Sequence, residues 1–419
     1  MTKPQIHKRL SNEHVRFILG KYSAGEIRAK NAIQKLGVGR TRFYQLFHQY
    51  EDDPTNFDIE YQREKSTRRI APEIEENILK ELEIEKTKII NRKDVPTKRY
   101  NYSYIKDLLQ DKYEQKVSVD TIIRRAKDND YYLGKLPKKI HDREVLTDYT
   151  GELIQHDTSR HLFAPDSGVK WYLITSLDDY SRLLLFGDLW EQESSFKHIL
   201  ALESTVLNYG IPFSYYTDQH SIFRYVKNRD KKSDWATYTK FTDDVSTQWK
   251  QVLEELKIEP IYALSPQAKG KAERPYQWLQ DHLVRTCVRE GITKIDDGRK
   301  VLKQEMEKYN YKWVHSTTKE IPIVRFERAK RENKSLFREF KLEPPYKSVK
   351  DIFCLRDTRI VDAYRRVHFK NIILDIPEAT PGQKVDLKIY PDPRTGITEI
   401  RIWCNGEFLC ARKINKIIT

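Results

Sequence analysis

Three acidic residues of this 419-residue chain stand where chemistry is possible: Asp157, Asp218 and Glu273. Asp157 closes an apolar-alternating run, Glu152-Leu-Ile-Gln-His-Asp157, and Asp218 closes a second one, Ile211-Pro-Phe-Ser-Tyr-Tyr-Thr-Asp218. Glu273 lies in Ser265-Pro-Gln-Ala-Lys-Gly-Lys-Ala-Glu-Arg274, just ahead of a helical pattern. Carboxylates at two strand ends and one helix start can converge, and three of them form a hard-oxygen site for Mg²⁺ or Mn²⁺. Paired ions of that kind drive in-line displacement at phosphorus. The plainer reading is that acids at strand ends are turn residues and that a Glu early in a helix answers the helix dipole.

The elements that must position these acids follow from periodicity. Strands are expected at 152–158, 170–177, 182–190, 211–217 and 259–264, and helices at 194–208, 245–256 and 272–290. Proline is tolerated only in the first turn of a helix, so Pro275 puts Glu273 at a helix start. Asp178 and Asp179 are rival acids and read as turn residues between two strands.

Four ordered motifs carry a family resemblance: Gln155-His-Asp157-Thr-Ser, Leu177-Asp-Asp-Tyr-Ser-Arg182, Tyr216-Thr-Asp218-Gln-His-Ser-Ile-Phe223 and Gly270-Lys-Ala-Glu273-Arg274. Over roughly residues 145 to 330 the chain resembles the catalytic core of insertion-sequence transposases of the retroviral-integrase superfamily. The resemblance implies a ribonuclease-H-like α/β core with Asp157, Asp218 and Glu273 as catalytic metal ligands. It also implies two Mg²⁺ per site, for which Mn²⁺ substitutes, and a DDE transposase that cleaves DNA and joins 3′-hydroxyl ends to a target. Two departures stand out. The spacings from Asp157 to Asp218 and from Asp218 to Glu273 are longer than in retroviral integrases, with a surface insertion expected around 224–250. Gln219-His220 replaces the frequent Asn-Gly, so His220 is open between supporting a metal ligand, touching DNA and a structural hydrogen bond. Lys269 and Lys271 would touch phosphates beside the scissile bond.

The charge distribution fits a nucleic-acid partner. The chain has 76 Lys and Arg against 62 Asp and Glu, and its first 50 residues hold 10 basic and 2 acidic side chains. Residues 1–150 carry net +7, 331–419 net +6 and 151–330 only +1, as expected of basic flanks gripping phosphates around a carboxylate-bearing core. Phe43, Leu46, Phe47 and Tyr50 make one helical face, preceded by the turn Gly37-Val-Gly39 and a helix over 27–36. That pattern reads as a helix-turn-helix with Arg40, Arg42, Gln45 and Gln49 outward for base edges, against the plainer reading of a helical hairpin. A second helical module starts a helix at Ser118 and leaves Thr121, Arg124, Arg125 and Lys127 outward, with packing helices at 73–90 and 104–113. Gly134-Lys-Leu-Pro-Lys-Lys139 is a basic linker, DNA-bound through Lys135, Lys138 and Lys139 or merely solvated.

The expected organisation is multidomain. Helix-turn-helix 1–55 and a second helical DNA-binding module 65–132 precede the linker 133–148 and the catalytic core 149–325. A linker helix 326–345 then leads to a small β-barrel 346–419, presenting Arg365, Arg366, Lys370 and Lys388 to DNA or a second subunit. Cys404-Asn-Gly-Glu407 is a two-residue hairpin signal within it. Four cysteines without zinc spacing and no membrane-length apolar run point to a reduced, cytoplasmic, nucleoid-associated bacterial setting. The expected partners are double-stranded DNA, as element terminal repeats and target, and further copies of the chain as a homodimer or higher multimer on DNA. The alternatives are a ribonuclease-H-like nuclease without strand transfer and a catalytically silent DNA-binding regulator.

Overall fold

The computed structural model describes residues 5–59, 70–134, 147–218, 221–223, 247–262 and 273–418, with side chains in the last stretch from Trp278 onward. It divides into two compact units, Met1–Glu75 and Glu76–Thr419. In the first, α1 (Asn12–Ser23), α2 (Ala29–Leu36) and α3 (Arg40–Asp52) enclose Val15, Leu19, Ala32, Leu36, Phe43 and Leu46. Gly37 ends α2 in the left-handed region at φ 60°, which spares a side chain the steric cost of that turn. Ser11 caps α1 by accepting from the His14 amide.

The second unit opens with α4 (Pro72–Glu85, its first residues preceding the unit boundary), continued by a π-helical turn over Lys86–Ile90. Then come α5 (Tyr102–Tyr113) and α6 (Val119–Asp128), capped by Asn101 and Ser118. The central sheet consists of β1 (Leu153–His161), β2 (Trp171–Asp178), β3 (Leu184–Trp190), β4 (Ser214–Thr217) and β5 (Glu259–Tyr262). Its order is β3-β2-β1-β4-β5, antiparallel through β1 and parallel from β1 to β5. Two apolar layers cover it. One uses α7 (Ser195–Tyr209) and α8 (Gln248–Glu255), with Ile154, Tyr215, Trp249 and Phe196 buried. The other uses α9 (Glu273–Glu290) and α10 (Ile295–Tyr311), with Leu173, Leu279, Leu283 and Leu302 buried. The helix α10 was not among the expected elements; its buried Gly298, Val301, Leu302 and Glu305 mix small, apolar and acidic groups.

Two expectations for the C-terminal third change. In place of a linker helix over 326–345, α11 (Pro322–Arg331) ends early, and the chain runs on extended against the core. There Ser335 bridges Thr150 and Arg338 bridges Ile211. In place of a closed barrel there is an open antiparallel sheet of β6 (Leu355–Ile360), β9 (Lys384–Asp392), β10 (Ile397–Cys404) and β11 (Glu407–Ile414). A separate hairpin of β7 (Arg366–Phe369) and β8 (Ile372–Asp375) lies beside it. Among the described residues no ladder joins β11 back to β6, so both are edge strands. The expected hairpin is present, with Asn405 at φ 48° and Gly406 at φ 80°.

Candidate active site

The first two acids are brought together by strand register. Leu153 pairs with Ser214, Ile154 with Tyr215 and Gln155 with Tyr216 in the parallel β1–β4 ladder. Continued two more steps along each chain, that register would set position 157 opposite position 218, one residue past the end of β4. Parallel neighbours lie about 4.8 Å apart and project matched side chains to one face of the sheet. Both Asp157 and Asp218 are half-buried, and the Thr158 amide donates to Asp157 Oδ1 at 2.9 Å.

Alternation assigns Asp157 to the α9 side. Its strand neighbour His156 points the other way, into the layer of α7 and α8, where its ring stacks on Trp249 at 4.9 Å. On the side of Asp157, Ser159 Oγ accepts from Gln280 of α9 at 2.5 Å. The backbone of α9 begins at Glu273, nearly two turns before Gln280. The Glu273 carboxylate lies outside the described side chains, as do Gln219, His220, Lys269 and Lys271, and the linker Lys135, Lys138 and Lys139. Among the described residues, which lack the Glu273 side chain, no group of three or more His, Cys, Asp or Glu suited to a metal ion occurs.

The rival acids are committed to the turn after β2. Asp178 is fully buried and accepts from the Gly151 amide at 2.8 Å, Thr150 Oγ1 at 3.0 Å and both the amide and hydroxyl of Ser181. Burial raises its carboxyl despite those bonds. Asp179 pairs with Arg182 at 2.9 Å and accepts from Gln155 and Thr147.

Two groups of residues escaped the sequence reading. Behind β1, Ser176, His156, His198 and Glu193 form a hydrogen-bonded row with steps of 2.9, 2.8 and 3.0 Å. Burial, then the neighbouring His198, holds the His156 imidazole well below its ordinary range, so it stays neutral. Along the second half of α9, Arg289 donates to Glu81 at 2.6 Å and to Glu85 at 2.9 Å. Arg285 also pairs with Glu85 and, through Nε, with Asp281 at 2.8 Å. Burial would raise the Glu81 carboxyl, but hydrogen bonds from Tyr113, Lys112 and Arg289 hold it below its ordinary value. Only the alternation of His156 with Asp157 was visible in the sequence; acids and arginines so far apart along the chain carry no local signal.

Among the expected DNA contacts, Arg40, Arg42, Gln45 and Gln49 are all exposed on α3, with Arg42 donating to Gln45 Oε1 at 3.3 Å. On α6, Arg124 and Lys127 are exposed, Thr121 shares a 2.9 Å hydrogen bond with Ser118, and Arg125 sits 3.6 Å from Asp128. Arg365, Arg366 and Lys370 are exposed, Arg366 being paired with Asp375 at 2.9 Å. Lys388 departs from expectation: it is half-buried, with Nζ 4.3 Å from the Tyr346 ring centre and 4.5 Å from that of Trp403. Burial lowers its ammonium.

No protein-family model matches the chain. It is 30% identical over 287 residues, 67% of its length and 57% of the relative's, to a Sinorhizobium fredii (strain NBRC 101917 / NGR234) protein named "Putative transposase y4bF". It is also 30% identical over 182 residues, 43% of its length and 37% of the relative's, to the transposase for insertion sequence IS1202 of Streptococcus pneumoniae. The chain thus spans about half the length of the curated relatives it matches. Similar solved structures include the trimeric form of the HTLV-2 integrase catalytic core domain in complex with magnesium, at TM-score 0.32 and 14% identity, covering 42% of this chain and 96% of that one. Another is the simian T-cell lymphotropic virus intasome in complex with PP2A regulatory subunit B56 gamma, at TM-score 0.35 and 11% identity, covering 72% and 92%. No helix among the described residues is long and apolar enough to cross a membrane.

Proposed function

We propose, from the premise that the chain is a relative of insertion-sequence transposases, that it is a DDE transposase of the retroviral-integrase type. It binds its element's end repeats, hydrolyses a phosphodiester at each end and joins the freed 3′-hydroxyls to target DNA. The carrying observation is the register that aligns Asp157 with Asp218 on adjacent parallel strands beside α9.

The residues fit a hard divalent ion: the half-buried Asp157 and Asp218 follow two paired parallel strands, with a third acid at the start of the neighbouring helix. Asp157, Asp218 and Glu273 would hold two Mg²⁺, and Mn²⁺ would substitute. Such ions supply activation of the attacking oxygen and charge neutralisation at the leaving oxygen. The protein's own part is positional. The ladder would set the separation of the two aspartates, and the bond from Gln280 to Ser159 ties α9 to β1. The helix-turn-helix reading of α2 and α3 gives Arg40, Arg42, Gln45 and Gln49 the task of base reading. Thr121, Arg124, Arg125 and Lys127 of α6, with Lys135, Lys138, Lys139, Lys269 and Lys271, would contact DNA nearer the cut. Two element ends need two copies of this site, so the working form is a homodimer or larger multimer on DNA.

The test replaces Asp157 or Asp218 by Asn, or Glu273 by Gln, and follows cleavage and joining of labelled element ends in Mg²⁺. Both activities should fall below detection while DNA affinity changes less than threefold. A variant retaining near-native cleavage removes that residue from the site. Cleavage without joining by the native chain would favour the nuclease reading.

A further inference from the structure

Three tyrosines on the surface of the α4–α6 region form a ladder that no role assigned so far uses. Tyr100 and Tyr102 flank the cap of α5, and Tyr132 follows the end of α6. Tyr100 stacks on Tyr102 at 6.0 Å between ring centres with planes 13° apart. Tyr102 in turn stacks on Tyr132 at 6.3 Å and 17°. The three ring planes are near-parallel with Tyr102 the common neighbour, and at these separations the rings are offset rather than face to face, so part of each face stays uncovered by its neighbour; all three are half-buried.

Neighbouring groups hold the ladder and give it a charge. The Tyr102 hydroxyl donates to the Tyr131 carbonyl at 2.9 Å, and the Tyr131 ring meets Tyr100 edge-on at 6.3 Å. Lys127 Nζ lies 4.9 Å from the Tyr132 ring centre, and Lys86 Nζ lies 5.1 Å from that of Tyr131. Glu83 is the opposing charge, and it accepts from the Tyr131 hydroxyl at 2.8 Å. Leu133, 60% exposed, extends the apolar surface next to Tyr132.

We infer that Tyr100, Tyr102 and Tyr132 form a stacking platform for unpaired DNA bases, with Lys86 and Lys127 placed for the phosphates. Aromatic faces spaced along a strand path and flanked by cations are the parts of sequence-tolerant single-strand binding, because every base has a π-face. Duplex DNA hides those faces, so the platform selects single strands. Its position suits a frayed end near the cut: Asn101, between the first two tyrosines, donates to Asp281 of α9 at 2.5 Å. Asp281 lies little more than two helical turns after Glu273, about 12 Å along the axis. That placement rests on the transposase reading, whereas single-strand binding does not.

The experiment uses the full chain in EDTA, with a short non-cognate single strand carrying 5-iodouracil and a duplex of the same sequence. Irradiation should cross-link the single strand to peptides containing Tyr100, Tyr102 or Tyr132. Tyr100→Ala with Tyr132→Ala should weaken single-strand binding roughly tenfold or more while duplex binding shifts less than twofold. Tyr132→Phe, which keeps the ring, should bind as the native chain does. Equal losses on both DNAs would reduce the patch to a phosphate contact and overturn the platform. Unchanged single-strand binding with an altered solution mass would make the tyrosines a protein interface and overturn it equally. Because no metal and no element end is present, a chain that proves unable to cut DNA can still pass this test.

Discussion

The bundle of α1 to α3 closes on Val15, Leu19, Ala32, Leu36, Phe43 and Leu46, all buried and all apolar. Where α4 meets α9, the buried Glu81, Glu85 and Arg285 and the half-buried Arg289 are instead cross-linked by ion pairs. Both regions are built of helices rich in charged residues, and along the sequence they look alike. An apolar core is tolerant: many side chains of similar volume would fill it. A buried ion network tolerates little, because removing one member leaves its partner charged and out of water. The region 76–132 is therefore bound to α9 by specific ion pairs in addition to apolar packing of Ile89 and Val95, whereas the α1–α3 bundle holds together through an apolar core of its own.

The largest effect should come from breaking the ionic side. Arg285→Ala takes one of two arginine partners from Glu85, which is fully buried and keeps only Arg289, and should cost about 3 kcal/mol in denaturant unfolding of the 76–419 unit. Adding Glu85→Leu to it should recover much of that loss, since an apolar pair needs no compensation. A cost under about 1 kcal/mol for the single variant would mean that water reaches the site and the contrast fails.

On the apolar side, Leu46→Ala should cost about 2–5 kcal/mol, confined to the 1–75 unit. Hydrogen exchange resolved by peptide is the measurement. Amides of α1 to α3 should lose protection while those of α9 keep theirs; loss across both would show that one cooperative unit, not two, is being measured.

A third buried acid sharpens the comparison because its partner is a tyrosine. Glu203 of α7 accepts from the Tyr390 hydroxyl of β9 at 2.9 Å, and burial pushes its carboxyl up to about 7. A carboxyl raised on folding contributes stability that is complete below its unfolded value of 4.5 and lost as pH rises through about 7. From pH 5 to 8 the native chain should lose about 2.5 kcal/mol relative to Glu203→Gln. Parallel pH profiles for the two proteins would remove Glu203 as the source.

The smallest effect concerns the outer face of α3. Arg42→Ala should cost about 1–3 kcal/mol on the element end and much less on random DNA, measured at fixed salt. Equal losses would demote Arg42 to a phosphate contact.

What the sequence determined by itself is local. The alternation of 152–158 and 211–217 encoded β1 and β4, Pro275 marked the start of α9, Ser118 capped α6, and Asn405-Gly406 turned the last hairpin. These signals act over a few residues, through backbone sterics and side-chain period. Only the tertiary structure decided which strand lies beside β1, and so that position 157 aligns with position 218 despite two strands and a helix between them. It likewise decided that Arg285 and Arg289 meet acids on α4, that β11 and β6 stay apart, and that the chain after Arg331 leaves its helix to pair with the core edge. Such pairings depend on shape and on the desolvation of charges between distant segments, which no short stretch of sequence contains.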